Sequence, residues 1–301
     1  MSQLGLIVKN EYLTSIRAKS FWISTFVVPL LMVAFGAFAG YMAANSESAM
    51  EIQESMPFQP DSEEMTALKA VGMMMGLFLT LFIMMYGTAI FTKVKAEKTN
   101  RIVEIMATCV PGRTMMLAKI LAVGLTGLTQ LLLWAGLIIV MVWGILIVVQ
   151  FSLPWDKILQ FKFIMAVVWS ILYFLGGYVF FGSMYASGGA ISDKNNENQE
   201  YVSILTFILL ISFYVGMYAV DHGNTVFVRI LAYIPFTSPT VGAINAITGA
   251  SPIWETLISI AVLYFCAWLS MAFAGKIYTS SLLMKGKKFT LKDIVTFFKA
   301  K

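Results

Sequence analysis

The sequence predicts an all-α polytopic membrane protein with six transmembrane helices and both termini in the cytosol. Its 301 residues are 59% hydrophobic and 12% charged, with a mean hydropathy of +0.80, whereas a soluble domain carries about 25% charged residues. Six apolar runs are long enough to cross a bilayer, which takes about 20 residues. Seventeen of the 21 lysines and arginines fall on one side of these runs, the side that the positive-inside rule places in the cytosol.

The chain begins with a basic amphipathic segment. Over residues 1–20, the apolar positions recur every four residues at Leu4, Val8, Tyr12 and Ile16. This spacing predicts a helix lying on the cytosolic surface of the membrane, and an ordinary basic flanking segment is the alternative. Residues 21–43 form the first predicted span, which is expected to remain in the protein and not to be cleaved as a signal peptide.

The next predicted elements are an outer loop and two spans. Residues 44–66 contain six acidic residues and no lysine or arginine. A solvated outer loop is favoured over a cation site, because no calcium-loop spacing is present. Residues 67–91 form the second span. The third, 119–149, is overlong and is therefore expected to be tilted, partly interfacial, or broken near Gly136 or Gly144.

The second half contains three further predicted spans, at residues 161–186, 201–220 and 254–275. Residues 221–253 hold three prolines, so they are too interrupted for a span and too apolar for a free loop. They predict a short re-entrant hairpin that dips into the outer leaflet. Residues 276–301 form a basic cytosolic tail. No polar block is long enough to fold separately, so residues 1–301 are expected to form a single transmembrane domain.

A charged stretch separates the second and third spans. Residues 96–110 have helical periodicity and are followed by Pro111-Gly112. Glu97 and Arg101 are spaced i, i+4 with the acid first, which is the favourable order on a helix, and Asn100 and Glu104 share the same spacing. The pattern suits both a docking helix and a solvated connector, so the residues alone leave the choice open.

Several kinds of chemistry lack their motifs. The phosphate loop GxxxxGK[ST] does not occur, so this chain is not expected to hydrolyse nucleotide by that route. The metalloprotease motif HExxH is also absent, and the lone His222 beside Asp221 reads better as a solvated helix end than as a catalytic pair. Cys109 and Cys266 fall at different predicted depths, so no disulfide is expected. No catalytic residue, metal site or nucleic-acid partner is predicted.

The predicted span centres contain no Asp, Glu, Lys, Arg or His, although proton- or sodium-driven transporters normally carry such residues there. The third span instead places Thr126, Thr129 and Gln130 on one helix face. Hydrogen bonding between helices is favoured for them, and lining a substrate pathway is the alternative. Energy for uphill transport would then have to enter from outside the chain.

These features resemble the type-2 ABC exporter permeases, in the sodium-extrusion-permease branch. The resemblance rests on Glu97-Lys98-x-Asn100-Arg101-x-x-Glu104-Ile105, then Pro111 and Ala118-Lys119-Ile120-Leu121; on Arg17-x-Lys19-Ser20-Phe21 with Pro29; on Gly189-Ala190-Ile191-Ser192-Asp193 with Asn198-Gln199; on Ile234-Pro235-Phe236-x-Ser238-Pro239; and on Lys276-Ile277-Tyr278. There are two departures. The outer loop is short where relatives often have a large domain, and Ala118 stands where glycine is usual.

The resemblance implies a permease subunit that couples ATP hydrolysis by a separate cytosolic ATPase to export of an unidentified substrate. ATP and Mg²⁺ would bind to that ATPase, and a second permease copy, identical or similar, would complete the assembly in a prokaryotic cell membrane. The residues implied in coupling are Glu97, Lys98, Asn100, Arg101, Glu104, Ile105 and Asp193. A secondary transporter, or a non-catalytic scaffold or enzyme-complex subunit, is the alternative.

Overall fold

The computed structural model describes residues 3–27, 29–30, 63–98, 110–149, 161–192 and 199–283. These residues form α-helices joined by short turns and contain no strand, as the all-α prediction requires. The helices are α1 (Gln3–Arg17), α2 (Glu63–Lys98), α3 (Gly112–Val149), α4 (Phe161–Ile191), α5 (Gln199–His222), α6 (Val226–Tyr233), α7 (Ser238–Thr248) and α8 (Ile253–Leu283).

Within the described residues, five helices are long and apolar enough to cross a membrane. Their spanning portions are Leu68–Glu97, Gly112–Trp134, Ile164–Ile191, Glu200–His222 and Ile253–Ser281. They correspond to the second through sixth predicted spans. The first predicted span is helical over residues 19–27, and its residues 31–43 lie outside the described ranges. The six-span topology and its sidedness therefore stay predictions, as do most of the outer loop and the tail beyond residue 283.

The helices around the charged stretch extend beyond the predicted spans. α2 continues without interruption to Lys98, so residues 96–98 belong to the same helix as the second span. α3 begins at Gly112, directly after Pro111, because proline is tolerated at a helix start, where its missing N–H leaves no bond unmade. α3 has 38 residues and shows no break at Gly136 or Gly144. At 1.5 Å per residue it is about 57 Å long, well beyond a hydrocarbon core of about 30 Å.

The core of the bundle is aromatic. α4 packs between α2 and α8, and α3 packs against α1 and α8. Phe82 of α2 lies at the centre of this core, with its ring 5.0 Å from Trp134 and 6.0 Å from Phe174, both in edge contacts. Such rings bury large areas and also fix the relative orientation of the helices.

Two short helices, α6 and α7, connect α5 to α8 where the sequence predicts a hairpin. α7 packs against α2, α4 and α5, and nearly all of its side chains are buried. It ends at Gly249, whose φ of 72° is the left-handed conformation that glycine adopts most easily at a helix end. The helical hairpin is thus part of the bundle, and its depth in the membrane stays a prediction.

Candidate functional site

The residues implied in ATPase coupling lie at the end of α2 and beyond it. Glu97 is described with its side chain, and Lys98 is the last residue of α2. The remaining five lie outside the described residues, and their roles stay predictions: Asn100, Arg101, Glu104, Ile105 and Asp193. Glu97 is therefore the predicted coupling residue whose surroundings can be described.

The carboxylate of Glu97 joins three helices. Its Oε1 atom accepts a hydrogen bond from Nζ of Lys119, near the start of α3. Its Oε2 atom accepts one from the hydroxyl of Tyr278 on α8, with an O···O distance of 3.3 Å. These two partners come from other helices, whereas Arg101, the partner that the i, i+4 spacing predicts, lies outside the described residues. Glu97 therefore makes internal contacts at this end of the bundle.

The N-terminal helix takes part in the same group of charges. Lys119 is only 3% exposed, and its Nζ lies 3.4 Å from Oε1 of Glu11 on α1. Nζ of Lys93 lies 3.8 Å from the other oxygen of Glu11 and donates a hydrogen bond to Ser15. We call Glu11, Lys93, Glu97 and Lys119 the basal ion cluster. Its two positive and two negative charges balance, as a half-buried group of charges requires.

Sequence reasoning missed most of this cluster. Lys93 counted only toward the cytosolic charge, Lys119 entered also through the family resemblance, and Glu11 was not singled out. One signal was available, because Glu11 is the only acidic residue before Glu47. A lone carboxylate on a basic amphipathic helix is a candidate partner for a lysine at the foot of a neighbouring span.

The starts and ends of neighbouring helices pack closely around the cluster. A Cβ atom added at Gly112, the first residue of α3, would lie 2.7 Å from Oγ1 of Thr279 on α8. One added at Gly189 of α4 would lie 2.6 Å from the backbone oxygen of Phe91 on α2. These distances are shorter than van der Waals contact, so the helix backbones approach closely where the small residues lie.

The three polar residues of α3 make hydrogen bonds within the bundle. Thr129 Oγ1 lies 2.7 Å from the hydroxyl of Tyr12 on α1. Gln130 donates from Nε2 to Ser24 Oγ at 3.2 Å and accepts a hydrogen bond from the Tyr86 hydroxyl, while Thr126 bonds to the backbone of its own helix. Thr129 and Gln130 thus bond to other helices, as the favoured interpretation expects, whereas the hydrogen bond of Thr126 lies within α3. A role in lining a pathway remains a prediction.

The opposite end of the bundle carries two other ion pairs. Lys69 Nζ of α2 lies 3.0 Å from Oδ1 of Asp221 at the end of α5. The guanidinium of Arg229 on α6 makes two hydrogen bonds to the carboxylate of Glu255 on α8, one of them at 3.0 Å. We call these two contacts the outer ion pairs, since both belong to segments that the sequence places outside. Each of them joins two helices.

The described polar and charged residues make contacts that hold helices together. Within the described ranges, no three His, Cys, Asp or Glu side chains come close enough to hold a metal ion. His222 stacks on Tyr218, with ring centroids 4.2 Å apart. Its Nδ1 lies 3.2 Å from the Tyr218 carbonyl oxygen. This exposed arrangement fits a solvated helix end.

Comparison with known proteins assigns the family. Residues 48–276 match the family model described as "ABC-2 family transporter protein". The chain is 23% identical over 231 residues to the uncharacterized protein YhaP of Bacillus subtilis, covering 72% of this chain and 52% of that protein. It is 22% identical over 206 residues to the uncharacterized protein MJ1024 of Methanocaldococcus jannaschii, covering 68% of this chain and 48% of that protein.

The chain thus spans about half the length of the curated relatives it matches. No solved structure matches it. The family match covers most of the chain and nearly all of the described helices, from the start of α2 into α8. Together with the five membrane-spanning candidates, it leads to one conclusion: the chain belongs to the ABC-2 family of transporter proteins and is a multi-pass protein of the cell membrane.

Proposed function

We propose that the chain is a permease subunit of an ATP-driven ABC exporter. Family membership supports the permease role. The observation that carries the coupling role is the contact of Glu97 with Lys119 and Tyr278, since it ties the end of α2 to α3 and α8. A force applied to the segment after Lys98 would reach three helices at their common end. The sodium-extrusion branch and the identity of the exported substrate have no such support.

The proposed topology has six spans with both termini in the cytosol. Two groupings support it. The basal ion cluster brings together α1, the end of α2 and the start of α3, all of which the positive-inside rule assigns to the cytosol. The outer ion pairs bring together the start of α2, the end of α5, the hairpin and the start of α8. The segments predicted to be cytosolic thus contact one another at one end of the spans, and those predicted to be outside contact one another at the other end. This is the arrangement expected when successive spans cross the membrane in opposite directions.

The proposed partners are a cytosolic ATPase, which would bind ATP and Mg²⁺, and a second permease copy, identical or similar. We assign contact with the ATPase to the part of residues 96–110 beyond α2, and to the loop between α4 and α5. The residues concerned are Lys98, Asn100, Arg101, Glu104, Ile105 and Asp193. Glu97 has a different role in this proposal, because its carboxylate already has two partners within the chain.

The interior of the described spans disfavours the alternative of a secondary transporter. The stretches 70–92, 120–149, 163–191, 201–220 and 256–275 contain no Asp, Glu, Lys, Arg or His. Ion-coupled transporters use such residues as relays at mid-membrane. Because these stretches contain no such residues, the proposal takes the energy for transport from a partner outside the chain.

The test is purification of the tagged chain from native membranes, followed by measurement of ATP hydrolysis in the purified complex. We expect an ATPase with a phosphate loop to co-purify. Arg101→Glu or Glu104→Lys should lower the co-purified activity by about tenfold or more, as loss of a charged interface contact does. Lys9→Glu is the matched control, because it reverses an exposed charge on α1 outside the assigned segment. Wild-type chain that carries no ATPase, or variants that retain full activity, would contradict the proposal.

A further inference from the structure

Lys119 is a buried cation shared by two carboxylates on different helices. Its side chain is 3% exposed, and its ammonium contacts Glu97 of α2 and Glu11 of α1. A buried ammonium is tolerated only when it is paired and hydrogen-bonded. Both carboxylates are about a quarter exposed, so each retains some contact with water. The charge of Lys119 therefore needs its two partners for stabilisation more than the charge of either partner needs Lys119.

The contacts of Lys119 join α1 and α2. Its ammonium donates hydrogen bonds to Glu97 of α2 and, at 3.4 Å, to Glu11 of α1. Glu11 also lies 3.8 Å from Lys93 of α2, which donates a hydrogen bond directly to Ser15 of α1. The Tyr12–Thr129 hydrogen bond at 2.7 Å holds α1 to α3, about three turns beyond Lys119. α1 is therefore joined to α2 by two routes, one through Lys119 and one directly from Lys93.

We infer that Lys119 is a positioning residue that makes α1 move together with the end of α2. This inference rests on the proposed function, since the movement would begin in the segment after Lys98. When that segment is displaced, Glu97 carries Lys119 and the start of α3 with it, and Lys119 carries α1 through Glu11. The N-terminal helix is thereby part of the coupling apparatus, although it lies far from residues 96–110 in sequence.

A purely stabilising role would give a different pattern. If the cluster only stabilised the bundle, a variant without Lys119 that was stabilised by other residues would again show the movement of α1. Positioning requires a charged contact that reaches from α3 to both α1 and α2. The two roles separate in a variant that stays folded but has lost the shared cation.

The first experiment tests the contact itself in the purified permease without ATPase. Lys119→Met leaves two half-buried carboxylates without that cation and should lower the apparent unfolding temperature by roughly 5–10 °C. Glu97→Gln alone should also be destabilising. The double variant Glu97→Gln/Lys119→Met should lose less than the sum of the two single losses, because each single variant already removes the contact between these two residues. Lys9→Met, an exposed lysine on α1, is the control. Losses that simply add in the double variant would overturn the assigned pairing.

The second experiment measures movement in the complex with its ATPase. Spin labels at Leu6 on α1 or Thr92 on α2 are each paired with Ile253 at the opposite end, all three being exposed, in a chain with Cys109→Ser and Cys266→Ser. Excess unlabelled permease suppresses distances between copies. We expect ATP, Mg²⁺ and vanadate to shift both distances in the otherwise wild-type chain. Ser15→Ala removes the direct hydrogen bond from Lys93 to α1 and should by itself retain both shifts. In that background, Lys119→Met should retain the Thr92 shift and reduce the Leu6 shift by about threefold or more.

The outcomes separate this inference from the proposed function. A shift at Thr92 without one at Leu6 in the wild-type chain would overturn the inference and leave ATP coupling intact. A full Leu6 shift in Ser15→Ala/Lys119→Met would overturn it as well. No shift at either position in the wild-type complex would contradict the proposed function and the inference with it.

Discussion

The two ends of the bundle use ionic contacts differently. In the basal ion cluster, charges are shared: Lys119 faces two carboxylates, Glu11 faces two lysines, and Tyr278 adds a fourth helix through Glu97. At the opposite end, each of the outer ion pairs joins two helices. Shared charges connect several elements at once, so no single contact frees one of them. Among the described residues, Arg229 and Glu255 pair with each other, and a pair of this kind can open by itself.

This difference bears on the proposed export cycle. A coupling end has to pass a displacement to several helices together, and a network of shared charges does this. An outer end has to open, and it can do so by breaking individual pairs around the hairpin of α6 and α7.

The largest effect outside the basal ion cluster is expected at the Arg229–Glu255 pair, where the two partners differ in burial. The side chain of Glu255 is 4% exposed and that of Arg229 is 43% exposed. Arg229→Met leaves the buried carboxylate unpaired and should cost about 3–5 kcal/mol of unfolding free energy. Glu255→Gln leaves an arginine that can reach water and should cost only about 1–2 kcal/mol. Unfolding in mixed micelles measures both values.

The prediction is tested by comparing the stability losses of the two variants. If Glu255→Gln is as damaging as Arg229→Met, the pair is equally dependent on both partners and the burial argument fails. If Arg229→Met is harmless, the hairpin is not held to α8 through this contact. In either case the outer end would have to open by another route.

Two glycine-to-alanine substitutions compare packing at the two ends. Gly189→Ala would place a methyl group 2.6 Å from the Phe91 carbonyl oxygen. Since a backbone atom cannot turn aside, we expect a loss of about 1–3 kcal/mol. Gly72→Ala meets only ordinary contact with Thr248 and should be neutral or stabilising by up to about 1 kcal/mol, because alanine favours helix. Thermal unfolding of the two purified variants tests this, and equal stabilities would show that the contact at Gly189 is no tighter than the one at Gly72.

Hydropathy predicted the described spans but not the helix ends. The predicted start of the fourth span at residue 161 coincides with the start of α4, Phe161. α2 passes its predicted end because Lys93, Lys95 and Glu97 are polar yet favour helix, so the backbone hydrogen bonds continue after the apolar run stops. Hydropathy detects the membrane, and it does not detect the end of a helix that projects beyond it.

Local sequence predicts only part of the candidate site. The charged stretch and its location after the second span follow from the sequence, and Glu97 of that stretch lies in the basal ion cluster. Its partners Lys119 and Tyr278 are 22 and 181 residues away in sequence. Local spacing on a helix can only suggest neighbours one turn away, such as Arg101. Contacts between distant segments depend on the packing of whole helices, which no local pattern contains.

The smallest effect is expected at the Lys69–Asp221 pair. Asp221 is 64% exposed and Lys69 is 24% exposed, so water and salt screen their attraction even though the atoms are 3.0 Å apart. Asp221→Asn keeps the shape of the side chain and removes its charge, and it should cost no more than about 1 kcal/mol. Unfolding at low and high salt measures the contribution, which should vanish at high salt. A larger loss of unfolding free energy that salt does not reduce would mean that this contact holds α2 firmly to α5. The outer end would then resemble the basal end more than the two ion pairs suggest.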